Sequence, residues 1–224
     1  VAVPSLSDDT VYISSGTWSL MGIERMAADC SVKSKEHNFT NEGGYDFRFR
    51  YLKNIMGLWM IQSAKKEFKQ NYSYDEICNL ASAETIPSIV NCNDDRFLAP
   101  ASMIGEIKDY CQETKQPVPE TDAQIAAVIY NSLAECYKNT LEELEEITGQ
   151  QYGHIHIIGG GANADYLNSI TAKYTKRKVY AGPTEATAIG NILVQMISTK
   201  KLANLTEARE CVRNSFEIKE YLPV

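Results

Sequence analysis

The sequence predicts an α/β domain: a three-strand β-meander followed by alternating helices and strands, giving a mixed sheet with helices on both faces. Three observations point there. Two β-rich runs, residues 11–15 and 18–24, meet at Gly16-Thr17 as a hairpin. An apolar series at Ile125, Ile129, Leu133, Tyr137, Leu141, Leu144 and Ile147 repeats at helical spacing. Beyond it, strand and helix patterns alternate at a pace that requires parallel strands with crossover helices.

In chain order, a third β-rich run over residues 37–40 ends in the turn signal Asn41-Glu42-Gly43-Gly44. Residues 51–69 place Ile55, Leu58 or Trp59, Gln62 and Lys66 at helical spacing with a basic tail, which predicts a helix. On such a helix Asn54 and Gln62, eight apart, share one side, as a buried amide pair or as ligand contacts. A short helix is expected over residues 74–83, and an irregular excursion over 86–100, where two prolines flank Asn-Cys-Asn-Asp-Asp. The long amphipathic helix should stop at Gly149, with Glu142, Glu143, Glu145 and Glu146 on a solvated face. Then come a strand over 154–158, Gly159-Gly160-Gly161, a helix over 164–174, a strand over 178–180, the turn Ala181-Gly182-Pro183 and a helix over 185–197. His154 and His156 fall on one face of their strand. With no third ligand in view they read as a satisfied strand face, not a metal site.

The chain has 224 residues, with 22 basic and 29 acidic side chains and a net charge of −7. That balance excludes a general affinity for nucleic acid or anionic membranes, whose binders are basic. No run of 18 apolar residues predicts a membrane span. Val-Ala-Val-Pro-Ser lacks the pattern of a signal peptide, and residue 1 is Val instead of Met, which suggests a piece of a longer chain. The six cysteines include no CxxC pair, the usage of reduced thiols in a cytoplasmic protein. Three N-x-S/T triplets, at Asn38, Asn71 and Asn204, are read as chance.

Three segments put glycine or small polar residues where a ligand could approach the backbone. The first is Ser14-Ser15-Gly16-Thr17-Trp18-Ser19, a hairpin turn rich in hydroxyls and N–H groups. The second is Gly159-Gly160-Gly161-Ala162-Asn163-Ala164, which follows an apolar strand and opens a helix. It matches a dinucleotide fingerprint. However, Tyr180-Ala181-Gly182 stands where an acidic residue should take the ribose hydroxyls, and too little chain remains for a doubly wound sheet. The third is Asn41-Glu42-Gly43-Gly44 with the segment 51–62 that follows.

Five strings in register carry a resemblance: Tyr12-Ile13-Ser14-Ser15-Gly16-Thr17-Trp18-Ser19, Thr40-Asn41-Glu42-Gly43-Gly44, Leu52-Lys53-Asn54-Ile55-Met56-Gly57-Leu58-Trp59, Ile157-Ile158-Gly159-Gly160-Gly161, and Ala181-Gly182-Pro183-Thr184-Glu185-Ala186-Thr187-Ala188-Ile189-Gly190-Asn191. From about residue 11 to 197 the chain resembles the C-terminal half of the rhamnulokinases, sugar kinases of the FGGY family. The resemblance implies one RNase H-like, actin-like ATPase domain over residues 1–224, closing on ATP and sugar against an N-terminal domain that is not in this chain. It implies ATP and Mg2+ as cofactors and L-rhamnulose as the sugar, phosphorylated on its 1-hydroxyl in L-rhamnose catabolism. By the same resemblance Thr17 contacts the terminal phosphates, Gly160 and Gly161 the nucleotide near the adenosine, Gln62 the nucleotide, and Asn54 the sugar.

The aspartate that takes the sugar's proton in such kinases belongs to a segment expected just upstream of Val1. None of Asp8, Asp9 or Asp29 has the context to replace it, so no catalytic residue is assigned and the fragment alone is expected to be inactive. Three other readings stay open: a kinase for another ketose or polyol such as L-fuculose or xylulose, a stand-alone nucleotide-binding or regulatory module, and an interaction domain built on the acidic helix 122–148.

Overall fold

The computed structural model describes residues 1–7 and 9–224, so Asp8 lies outside the described residues. The first hairpin is β1 (Thr10–Ser15) against β2 (Ser19–Arg25), antiparallel, with Ser15 opposite Ser19. β2 pairs antiparallel with β4 (Phe49–Ile55), and β3 (Thr40–Gly43) pairs with the outer side of β4. The meander is therefore β1–β2–β4; of the run expected as its third strand, residues 37–40, only Thr40 is strand, and Asn41-Glu42-Gly43, from the segment expected as a turn, supplies the rest of the short edge strand β3.

This corrects the helix expected over 51–69. Its first part is strand β4, and the helix is only α2 (Trp59–Lys65). Tyr51 and Leu52 are both fully buried, one on each face of the sheet, so the strand shows no alternation to betray it. The apolar spacing from Ile55 to Lys66 ran across a strand-to-helix corner. Asn54 and Gln62 consequently sit on different elements.

Between β2 and β3 lies the short helix α1 (Val32–Glu36), anchored by Asp29. The Asp29 carboxylate accepts from the Ser31 N–H (2.9 Å) and the Ser34 hydroxyl (2.7 Å) and meets Arg25 at 2.8 Å. These bonds, the backbone one first, hold it well below the usual carboxylate range. Asn41 exchanges two hydrogen bonds with the Asp29 backbone, 2.9 and 2.8 Å, so that residue of the turn motif serves the fold.

On the first face of the sheet lie α3 (Tyr74–Ser82), α4 (Met103–Glu113), α5 (Asp122–Thr148) and α6 (Asp165–Thr175). Helix α5 starts on a Thr121 cap and ends at Gly149, whose φ of 67° gives the left-handed turn that glycine adopts at least cost. Thirteen of its residues are buried, and the Tyr137 hydroxyl bonds the Ser19 hydroxyl at 2.7 Å inside the core. The glutamate run is not simply solvated. Glu143 pairs with Lys53 (2.6 Å), Glu145 with Arg177 (3.0 Å) and Glu146 with Lys33 (2.9 Å), while Glu142 is exposed.

The parallel part is β5 (His154–Ile158), beside β1, then β6 (Lys178–Ala181), with β7 (Lys219–Tyr221) antiparallel at the far edge. The sheet order among the described residues is β3-β4-β2-β1-β5-β6-β7. The second face carries α7 (Ala186–Ser198) and α8 (Leu205–Ser215), packed through Leu193, Ala208 and Val212. Asn204, one of the three sequon asparagines, caps α8 by accepting from the Glu207 N–H at 3.0 Å. No helix among the described residues is long and apolar enough to cross a membrane.

The histidine pair is only half satisfied. His154 Nδ1 lies 3.3 Å from Asp9, but His156, 7% exposed, leaves Nδ1 buried without a partner among the described residues. Burial, then the charges of His154, Arg209 and Arg213, pushes the His156 pKa down to about 4. The folded state thus refuses a proton that the unfolded chain accepts below its ordinary pKa near 6.5. Stability contributed by neutral His156 is complete above that value and lost as pH falls toward 4, on the order of 3 kcal/mol. Urea unfolding at pH 7.5 and 4.5 should show this loss, and His156→Gln should flatten it; an equal loss in the variant would remove His156 as its source.

Candidate functional site

Strands β1, β5 and β6 run parallel, and their carboxyl ends deliver three turns to one edge of the sheet, where open α/β sheets place ligands. The first turn is the hairpin at residues 16–18. Its Gly16 N–H donates to the Trp18 carbonyl at 2.9 Å. Its Gly16 and Thr17 carbonyls accept from the Leu58 and Trp59 N–H groups at 3.0 and 2.9 Å. The start of α2, which has no side-chain cap, is thereby capped by the hairpin's own backbone.

Gly57 makes this approach possible. A Cβ there would stand 2.5 Å from the Ser19 hydroxyl and 2.6 Å from the Ser19 nitrogen. With α2 seated so closely, its second turn faces the hairpin, and the Thr17 hydroxyl donates to Gln62 Oε1 at 3.3 Å. The structure thus joins two of the predicted site residues, although they are far apart in sequence.

The second turn divides the three glycines by task. Gly159 has φ of 86°, and a Cβ there would meet the Ser15 carbonyl at 2.8 Å. At Gly161 a Cβ would meet the Ser15 hydroxyl at 1.9 Å, so this buried glycine lets β5 lie against the end of β1. Gly160 is exposed, and a Cβ on it would touch nothing within 4 Å. Packing therefore accounts for two of the glycines. The third leaves a bare stretch of backbone facing open space, at the start of a 3-10 turn (Gly160–Asn163) whose first N–H groups have no acceptor within it.

The third turn is tied to the second. The Gly159 N–H donates to the Pro183 carbonyl (3.1 Å), the Gly182 N–H to the Ile157 carbonyl (2.8 Å), and the Thr184 hydroxyl to Asn163 Oδ1 (3.2 Å). Asn163 and Thr184 extend the polar rim beyond the residues singled out from sequence. The strings Gly-Ala-Asn and Gly-Pro-Thr were visible, but nothing in them signalled that the two side chains meet. Together the turns present hydroxyl, amide and bare N–H groups at the open end of the parallel strands, a donor set suited to phosphate and hydroxyl oxygens.

Asn54 is placed differently. It lies exposed on β4 opposite Leu20, without a side-chain hydrogen bond among the described residues, and lines a cleft of about 840 Å3 with Trp18, Lys53, Asn93 and Glu143. The structure does not bring it into the Thr17–Gln62 pair. Among the described residues no group of three or more His, Cys, Asp or Glu side chains could hold a metal ion.

Comparison with known proteins bears on the family and the fold. Residues 11–199 match the C-terminal domain of the FGGY family of carbohydrate kinases. A rhamnulokinase of Oceanobacillus iheyensis is 44% identical over all of this chain and 47% of its own length. That of Bacillus subtilis is 45% identical over all of this chain and 46% of its own. The chain thus spans about half the length of the curated relatives it matches. Among solved structures, gluconate kinase from Lactobacillus acidophilus superposes with a TM-score of 0.70 at 9% identity, covering 100% of this chain and 44% of that one. Plasmodium falciparum glycerol kinase gives 0.65 at 11% identity, covering 94% and 42%. At such identities these structures speak for the shared fold alone.

The division of labour among the glycines is testable. Gly160→Ala should unfold at the wild-type urea midpoint. Gly161→Ala should lose about 1–3 kcal/mol, because its methyl must displace the Ser15 side chain, and Ser15→Gly in the same chain should restore part of that loss. Equal destabilisation by the two alanine variants would refute the assignment.

Proposed function

From the premise that this chain belongs to the FGGY family of carbohydrate kinases, as its C-terminal domain, we propose that it is the ATP-binding half of a cytoplasmic rhamnulokinase-like enzyme. The full-length protein transfers the γ-phosphoryl group of ATP to the 1-hydroxyl of L-rhamnulose. The observation that carries this reading is the convergence of Thr17, Gln62 and the bare Gly160 backbone at the carboxyl ends of three parallel strands. Rhamnulokinase relatives aligned over the whole chain direct the choice of sugar.

Phosphoryl transfer asks a protein mainly for positioning and for stabilisation of charge on the transferred group. Thr17 contributes a hydroxyl on a turn whose position α2 enforces. Its hydrogen bond to Gln62 is long, and a phosphate oxygen at the opening offers the hydroxyl a stronger, charge-assisted partner. Gln62, released, can then both donate to and accept from the nucleotide. Gly160 lets the nucleotide lie against backbone near its adenosine, at a place where a side chain would stand in the way, whereas Gly161, the other glycine expected there, is buried against Ser15 and serves strand packing. Asn54, on its separate strand, is left to hold a sugar hydroxyl.

The residues at this opening do not fit a metal site of their own. Mg2+ is usually bound through one or two carboxylates together with substrate phosphates, and the turns here offer only hydroxyl, amide and backbone groups. The metal would enter with the nucleotide's phosphates. The general base on this reading is an aspartate in a segment outside these residues, so the 224-residue chain alone should show no sugar-dependent ADP release.

In the full-length protein, Thr17→Val should lower kcat/KM for ATP by roughly 10- to 100-fold, the loss of one or two charge-assisted hydrogen bonds. Asn54→Ala should instead raise KM for the ketose and leave KM for ATP unchanged. A panel of L-rhamnulose, L-fuculose, D-xylulose and glycerol, read by coupled ADP release, tests the substrate. A preference for any acceptor but L-rhamnulose would overturn that part of the proposal.

A further inference from the structure

The hairpin that carries Thr17 stands on two buried serines. Ser15 closes β1 and Ser19 opens β2, directly opposite one another, so Thr17 lies midway between the two feet of its turn. Both serines fall on the face that packs against α5, in line with Val11, Ile13, Met21 and Ile23, where these strands otherwise carry apolar side chains.

Each foot touches another piece of the site. A Cβ on Gly57, just before α2, would stand 2.5 Å from the Ser19 hydroxyl, and a Cβ on Gly161 would stand 1.9 Å from the Ser15 hydroxyl. Such close quarters demand a small side chain, and alanine would meet that demand. The hydroxyls are an addition, and burying a hydroxyl costs stability unless a partner bonds it. For Ser19 the partner is Tyr137 of α5, whose hydroxyl it meets at 2.7 Å, with Ser19 0% and Tyr137 1% exposed. The Ser15 hydroxyl lies by the same phenol, buried and without a hydrogen bond among the described residues. Burial pushes the Tyr137 phenol well above its ordinary pKa, so it stays protonated at neutral pH. A hydrogen bond is directional and fixes a distance, whereas apolar packing lets an element slide.

We propose that Tyr137 is a positioning residue for the nucleotide: through Ser19 its hydroxyl sets where the Gly16-Thr17-Trp18 turn stands above α5, and so where the Thr17 hydroxyl stands relative to Gln62 and the bare Gly160 backbone. Enclosed by the core, Tyr137 touches no ligand itself and acts through Thr17. This role rests on the ATP-binding reading above. Tyr130, two turns earlier on the same helix and equally buried, provides the comparison: its hydroxyl accepts from the Cys78 sulfur on α3 at 3.5 Å.

The test is steady-state kinetics on the full-length protein. Tyr137→Phe keeps the ring and removes the hydroxyl; it should raise KM for ATP about five- to ten-fold, the equivalent of one buried hydrogen bond, and leave KM for the sugar unchanged. Ser19→Ala removes the other end of the bond and should do the same, with the double variant no worse than either single one. A purely structural loss lowers the fraction of folded enzyme, hence kcat, and moves neither KM. Tyr130→Phe should follow that structural pattern. Because Tyr137 acts through Thr17, adding Tyr137→Phe to Thr17→Val should lower kcat/KM for ATP by less than about two-fold more. An unchanged KM for ATP in Tyr137→Phe and Ser19→Ala would overturn the proposal. So would an equal rise in Tyr130→Phe, or a further loss of about five-fold on top of Thr17→Val. If Thr17→Val itself leaves ATP kinetics intact, the nucleotide reading falls and the positioning role with it; a loss at Thr17 without one at Tyr137 refutes the positioning role alone.

Discussion

The parallel pairing of β1 with β5 is the constraint on which this domain depends. It joins the meander to the βα units and carries the Gly16-Thr17 turn and the glycine turn to the same edge of the sheet. Side chains would hold the two strand ends apart, which is why Gly159 and Gly161 lie against Ser15 with no room for a Cβ. The requirement is geometric before it is chemical. Once those backbones touch, the hairpin, α2 and the bare Gly160 are brought to the open end of the parallel strands without further adjustment.

Rigidity around that opening comes from backbone contacts more than from side chains. The hairpin's carbonyls cap α2, and the third turn hydrogen-bonds the second. Behind them α5 locks the meander through the Tyr137–Ser19 hydroxyl pair and through carboxylates that reach Lys53, Arg177 and Lys33. Such half-exposed pairs add little stability singly. They do show that the acidic stretch of α5 is engaged with its own domain, which leaves little of that helix for a partner.

Legibility in the sequence followed the length and purity of each pattern. Helix α5 and strand β5 stood out to the residue because one is a long periodic stripe closed by glycine and the other a short apolar run between turn signals. β4 was read as helix because adjacent Tyr51 and Leu52, both buried, break its alternation and because it flows into α2 within four residues, so its spacing mixed two periods. Helices α1, α4 and α8 drew no expectation at all, being short or mostly polar. The Thr17–Gln62 contact has no local signature either. It depends on Gly57 letting a helix sit against a hairpin, a fact of packing that only the resemblance to sugar kinases hinted at. Conversely, the three glycines read as one ligand motif, and only the structure separated the one facing solvent from the two that serve strand packing.

The same β1–β5 pairing shapes how the chain folds. Thr10 finds His154 as its partner, more than half the chain away, whereas β2, β3 and β4 pair with near neighbours in sequence. Non-local parallel contacts form late, because the closure entropy of a long loop must be met before they return any stability. During synthesis the antiparallel strands can assemble first, with one edge of β1 showing unpaired N–H and C=O groups until β5 emerges. An open strand edge of that kind is a template for association with other chains. The period of greatest hazard for this protein therefore falls before the glycine turn is made, while the strand that will carry Thr17 to the site still waits for its neighbour.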